Sequence, residues 1–125
     1  MSRFLWICLG GAAGTGARYL LGGWIARAAG PGFPWGTFAV NAIGSFLLGA
    51  ILQVALTTDL ISPTLRLALT TGVMGGFTTY STFNYETLQL LRDDAWLLAL
   101  ANLGLTVIGC LVAGALGLLC GRGLA

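Results

Sequence analysis

Residues 72–84 read Gly-Val-Met-Gly-Gly-Phe-Thr-Thr-Tyr-Ser-Thr-Phe-Asn. An apolar, helix-like stretch runs here into a glycine pair and then into a series of hydroxyl side chains. Each glycine of Gly75–Gly76 costs about 1 kcal/mol relative to alanine in a helix interior. The Thr78–Thr79–Tyr80–Ser81–Thr82 run is also a poor helix former, because short polar side chains compete for the backbone and β-branched ones lose rotamer freedom. The stretch therefore predicts a helix interrupted part-way along.

What surrounds the stretch decides the fold class. The chain has 125 residues, of which 57% are hydrophobic and 8% charged, whereas a soluble domain is about a quarter charged. So short a chain has too little polar surface to cover itself in water, and the bilayer is the solvent that suits it. A span needs about 20 mainly apolar residues. The pattern yields one membrane domain over 1–125 with four spans, at about 4–26, 35–57, 66–91 and 95–121. Gly30–Pro31–Gly32 with Pro34, Thr57–Asp59 with Ser62–Pro63, and Arg92–Asp93–Asp94 are the breaks between them. A small-residue patch at Gly10–Ala13 weakly imitates a signal-peptide cleavage site, but the apolar pattern continues through it to Ile25, so the first segment is read as a retained span. The expected fold is an all-α membrane protein of four helices, the third broken mid-membrane.

Charge narrows the function classes. The six basic residues are all arginine, there is no histidine, and the net charge is +2. That is no footprint for nucleic acid, which calls for clustered basic residues. With four spans the termini share a side, so Arg3, Arg66 and Arg122 lie on one side and Arg27 and Arg92 on the other. Orientation follows an excess of Lys/Arg on one side. Without that excess, copies insert both ways up, and an antiparallel dual-topology homodimer can form from one sequence. Cys8, Cys110 and Cys120 show no CxxC spacing and read as small apolar packing residues. With no carboxylate pair and no histidine base, an enzyme is the least favoured class.

Helices in lipid associate through small residues. Gly10/Gly14, Ala13/Ala17, Gly72/Gly76, Ala113/Gly117 and Gly117/Gly121 are spaced for such contacts. Faces this small leave no wide cavity, so any pathway is narrow or lies between subunits, which favours an oligomer.

Polar residues inside the spans are costly and face protein or water. Thr37, Asn41 and Ser45 form one stripe on the second span; Asn102 and Thr106 share a face of the fourth. Such stripes either hydrogen-bond between helices or solvate an anion. Arg18, the one charge in the first two spans, either caps and pairs or raises the local potential for anions. Backbone opened within hydrocarbon is tolerated only where it is buried in protein or lines a cavity. Freed carbonyls can hold a cation, and freed amides an anion. Tyr80 and Phe83 lie on one helix face. Their ring edges carry positive partial charge, which suits either core packing or a dry anion path.

Taken together, Gly10-Gly-x-x-Gly14 with Arg18-Tyr19, Gly36-Thr37-x-x-x-Asn41-x-x-Gly44, and Gly75-Gly-Phe-Thr-Thr-Tyr-Ser-Thr-Phe83 resemble the Fluc/CrcB family of fluoride channels. The resemblance covers nearly the whole chain. It implies an antiparallel dual-topology homodimer in the cell inner membrane, multi-pass, with two fluoride pores along the subunit interface that export fluoride passively. It implies a structural Na⁺ at the dimer centre, held by the backbone carbonyls of Gly75 and Thr78. It places pore aromatics at Tyr80 and Phe83, a pore asparagine at Asn41, a vestibule arginine at Arg18, a polar track at Ser81, Thr82 and Thr106, and a pore-mouth glutamate at Glu86. Two features depart from the family's pattern. Tyr80 stands where phenylalanine is usual and adds a hydroxyl. Asn102 and Cys110 flank Thr106 where tyrosine or serine is frequent.

Two rivals fit less well. A small four-helix proton-coupled multidrug exporter needs an acidic residue in the first span, and here Arg18 is the only charge there. A non-transporting membrane subunit explains the glycines but not the polar interruption.

Overall fold

The structure, a computed structural model, describes residues 1–124. It is helical throughout, with no strand among the described residues. Helix α1 (Ser2–Ala29) ends where Gly30 takes φ 86° and Pro31 follows, a left-handed exit that glycine makes without strain. Helix α2 spans Trp35–Thr57. Helix α3 (Pro63–Leu67) is capped by Ser62, whose Oγ accepts the Leu65 N–H, with proline in its first turn. It continues without a break into a π-helical stretch, Ala68–Met74, and then α4, Gly75–Phe77. Thr78 and Thr79 are extended (φ −89°, ψ 159° and φ −153°, ψ 116°), and α5 runs Tyr80–Arg92. Helix α6 spans Trp96–Leu124.

Two of these helices are long and apolar enough to cross a membrane, α2 at mean hydropathy 1.9 and α6 at 2.3. The outward surface is apolar as well: Tyr19, Leu20, Trp24, Leu97, Ile108 and Leu111 all stand largely exposed. Soluble monomers rarely show contiguous apolar patches of this extent. The molecule is a helical membrane protein.

Glycine determines which helices touch. A Cβ on Gly10 would stand 2.6 Å from the Ala68 carbonyl, and one on Gly72 would stand 2.8 Å from the Ile7 carbonyl. Gly14 meets Val73 in the same way, so α1 lies backbone to backbone against the π-helical stretch. Helices α2 and α6 approach through Gly49, Gly117 and Gly121, where a Cβ would overlap Gly114, Phe46 and Ala50. Ala13 and Ala17, also spaced for packing, remain exposed.

The glycine pair of residues 75–76 does not itself open the helix. Gly75 and Gly76 both stay helical. A Cβ on Gly76 would sit 2.5 Å from the Gly11 carbonyl and 3.0 Å from Thr15. Close packing on α1 is what Gly76 serves, and the chain departs from helix one turn later, at Thr78–Thr79. The π-helical stretch was not legible in the sequence.

Candidate functional site

The site is built around the two extended residues. Leaving the helix removes donors from the last carbonyls of α4 and acceptors from the first amides of α5. Asn41, buried on α2, answers part of this. Its Oδ1 accepts the Thr79 N–H at 2.7 Å, and its Nδ2 donates to the Thr79 carbonyl at 3.0 Å. One carboxamide thus pairs both backbone groups of one extended residue, as a neighbouring strand would. Gly44, one turn along α2, makes the approach possible, since a Cβ there would overlap Thr78 and Phe77.

Thr79 also starts α5. Its Oγ1 accepts the Thr82 N–H at 3.2 Å and donates to Thr82 Oγ1 at 3.0 Å, with Ser81 Oγ at 3.4 Å. This is an N-cap of the usual kind. On the other side of the interruption, the Arg18 Nε donates to the Gly76 carbonyl at 3.0 Å. The guanidinium therefore stands at the C-terminal end of the 63–77 helical run, where positive charge complements the helix dipole. The Thr79 N–H, four residues on from Gly75, is taken by Asn41. Among the described residues, neither the Gly75 nor the Thr78 carbonyl receives a hydrogen bond.

Two grooves meet at Thr79. The first, about 410 Å³, is lined by Asn41, Ser45, Tyr80, Phe83, Thr106 and Cys110 among others. Tyr80 and Phe83 meet edge to face, with centroids 5.7 Å apart and planes at 67°. Phe83 is buried while Tyr80 is 78% exposed, so the phenol of Tyr80 points away from the protein core. The second groove, about 300 Å³, is lined by Arg18, Thr37, Thr82 and Glu86. Glu86 is anchored by Thr37, whose hydroxyl donates to Oε1 at 2.7 Å. Glu86 Oε2 is buried and finds no partner among the described residues.

The residues named from sequence thus divide. Asn41, Tyr80, Phe83 and Thr106 gather in the first groove. Arg18, Thr82 and Glu86 gather in the second. Ser81 is exposed and lines neither.

Several residues carry more than the sequence reading assigned them. Thr79 was one hydroxyl among several, yet it is the hinge of both grooves. Thr37 was part of a stripe, and its partner is a carboxylate on another helix. Thr87 went unnoticed, and with Asn102 it forms a buried bridge between α5 and α6: Asn102 Nδ2 donates to Thr87 Oγ1 at 2.9 Å. No local signal marks Thr87, which lies between Glu86 and Leu88 on an ordinary amphipathic helix.

Fold and site define a class: a small helical membrane protein whose backbone opens between two largely apolar grooves that each carry a few polar side chains. Comparison with known families is specific. Residues 5–118 match the model described as CrcB-like protein, Camphor Resistance (CrcB). Among similar proteins is the fluoride-specific ion channel FluC of Sorangium cellulosum (strain So ce56), 59% identical over 122 residues, 98% of this chain and 96% of that protein. The protein of the same name from Anaeromyxobacter sp. (strain K) is 57% identical over 90% of both chains. That of Geobacter sulfurreducens is 50% identical over 98% of both. The chain belongs to the CrcB-like family.

Proposed function

We propose that this protein is a fluoride-specific ion channel, not an enzyme, and that it lets cytoplasmic fluoride leave passively down its electrochemical gradient. Relatives 50%, 57% and 59% identical over 90% or more of the chain bear the name. The observation that carries the reading onto these residues is the first groove, which places an aromatic pair, the Asn41 carboxamide and a hydroxyl beside opened backbone. Fluoride is small and tightly hydrated, so a selective path must replace its water with close donors. An amide nitrogen carries two N–H groups, so Asn41 holds Thr79 with one and keeps the other for an anion. Ring edges of Phe83 and Tyr80 supply further positive partial charge. Arg18 bonds Gly76 through Nε, and its remaining N–H groups raise the potential of the second groove.

In this reading four spans cross the cell inner membrane, and the Thr78–Thr79 interruption lies near mid-membrane. Two copies pair antiparallel, from a dual topology that the weak arginine bias permits. Each copy is open along its grooves, so a second copy would close two pathways along the interface.

The same interruption suits a structural sodium ion. Among the described residues the Gly75 and Thr78 carbonyls have no donor, Gly75 is exposed, and carbonyl oxygens at a broken helix are the ligand type Na⁺ takes. Two copies would offer these carbonyls to one ion. When bound, it would neutralise opened backbone and tie the subunits together. Ion-substitution density away from these carbonyls would count against the site.

The functional test is efflux from liposomes holding purified protein. Rapid electrogenic loss of fluoride without loss of chloride is expected. Phe83→Ile should suppress that flux while the dimer survives. Equal permeation of both halides, or cation/proton exchange, refutes the reading.

A further inference from the structure

Between α5 and α6 lies a polar chain inside an apolar interior. Thr106 Oγ1 donates to Asn102 Oδ1 at 3.4 Å, Asn102 Nδ2 donates to Thr87 Oγ1 at 2.9 Å, and Thr87 Oγ1 donates to the Phe83 carbonyl at 2.8 Å. Asn102 is 1% exposed, Thr87 6% and Thr106 8%. The chain starts at the wall of the first groove, which Thr106 lines, and ends on the backbone of Phe83, which lines it too.

All the protons point one way. The single hydroxyl proton of Thr106 is committed to Asn102, so toward the groove the hydroxyl offers lone pairs. That orientation is wrong for an anion. The same heavy atoms allow the opposite order. Rotating the Asn102 carboxamide by half a turn exchanges its oxygen and nitrogen, which are nearly equal in shape. Thr87 would then donate to Oδ1, Nδ2 would donate to Thr106 Oγ1, and the Thr106 proton would turn to the groove. The Phe83 carbonyl loses only its second donor, since it remains within the α5 backbone ladder. The Thr106–Asn102 bond is the longest of the three and the first to yield. Asparagine suits this position because it is both donor and acceptor. Leucine is neither, and an ionised aspartate accepts only.

We infer that Asn102 is a positioning residue for conduction, and that its carboxamide reverses the Thr106–Asn102–Thr87 chain to present the Thr106 hydroxyl proton to an anion in the first groove. The inference rests on the channel reading above. It assigns the anion's donor to a hydroxyl whose proton lies on Asn102 in the structure, and it gives Asn102 a role without contact with the ion.

The test combines flux with a spectroscopic readout. Thr106→Val should lower the fluoride efflux rate by roughly tenfold or more, the scale of one lost hydrogen bond to a charged group. Thr106→Ser, which keeps the proton, should stay near wild type. Asn102→Leu should lower efflux to the Thr106→Val level, because without the carboxamide the Thr106 hydroxyl turns back onto the carbonyl one turn earlier on its own helix, as Thr70 and Thr87 do, and the double variant should fall no further. Infrared difference spectra of wild-type protein carrying isotope-labelled asparagine should show a side-chain amide shift with fluoride and none with chloride, and Thr106→Val should abolish it. A merely structural Asn102 would give no such shift. If Asn102→Leu fails to assemble, the Thr106 pair and the infrared shift still decide.

Three results overturn the inference: unchanged flux in Thr106→Val, additive losses in the double variant, or an amide band blind to fluoride. Wild-type vesicles that retain fluoride refute the channel reading itself, and the inference with it.

Discussion

Replacing Asn41 with leucine changes the volume and shape of the side chain little, and it removes both hydrogen bonds to Thr79. The Thr79 N–H and carbonyl then lose their side-chain partner. Leaving a buried polar backbone group unsatisfied costs about 1–3 kcal/mol. Asn41 is 8% exposed and Thr79 is half-buried. With water able to reach Thr79 in part, the two groups together should cost about 2–4 kcal/mol. The loss should appear in equilibrium unfolding in detergent micelles, followed by far-UV circular dichroism. It should also appear locally: the Thr79 amide, protected in the wild type, should exchange with deuterium much faster in the variant. Asn41→Asp should not rescue stability, because a carboxylate accepts the N–H but opposes the Thr79 carbonyl. A leucine variant within about 0.5 kcal/mol of wild type, the range of ordinary surface changes, with an equally protected Thr79 amide would show that Asn41 does not hold the interruption in place.

Two further predictions address the elements around it. Arg18→Gln removes the guanidinium from the Gly76 carbonyl and the charge from the end of the helical run, and should destabilise by about 1–3 kcal/mol, measured by the same unfolding. Arg18→Lys should recover part of this, since it restores the charge without the planar donors. Gly76→Ala should break the α1 contact, because the added Cβ would meet the Gly11 backbone at 2.5 Å. Gly104→Ala, with nothing among the described residues within 4 Å of its Cβ, should stabilise by about 0.5–1 kcal/mol through helix propensity. Thermal unfolding of the two alanine variants side by side would expose an error in either assignment.

Much of the site's location was legible in the sequence, because polar residues in an apolar chain are too costly to be incidental. Asn41, Arg18, Tyr80, Phe83, Thr106 and Glu86 stood out for that reason, and seven of the eight side chains named for the pathway, all but Ser81, line one of the two grooves that meet at Thr79. What each polar atom does was not legible. Arg18 reads as an anion attractor, and only the structure adds that its Nε lies on the Gly76 carbonyl; Asn41 reads as a pore donor, and only the structure adds that its carboxamide holds Thr79. Glycine misled in a specific way. Propensity marks Gly75–Gly76 as a place where helix is weak, at about 1 kcal/mol per residue, yet both stay helical, with Gly76 packed against α1.

By itself, the sequence determined the solvent, the helical class and the few residues able to do polar chemistry, because composition and hydrophobic run length act locally and sum along the chain. Only the tertiary structure decided where the helix opens and which hydrogen bonds close it. Those bonds join residues far apart in the chain: Asn41 with Thr79 at a separation of 38, Thr37 with Glu86 at 49, and Gly76 with Arg18 at 58. Local propensity carries no record of such pairings, since each exists only after the helices have packed.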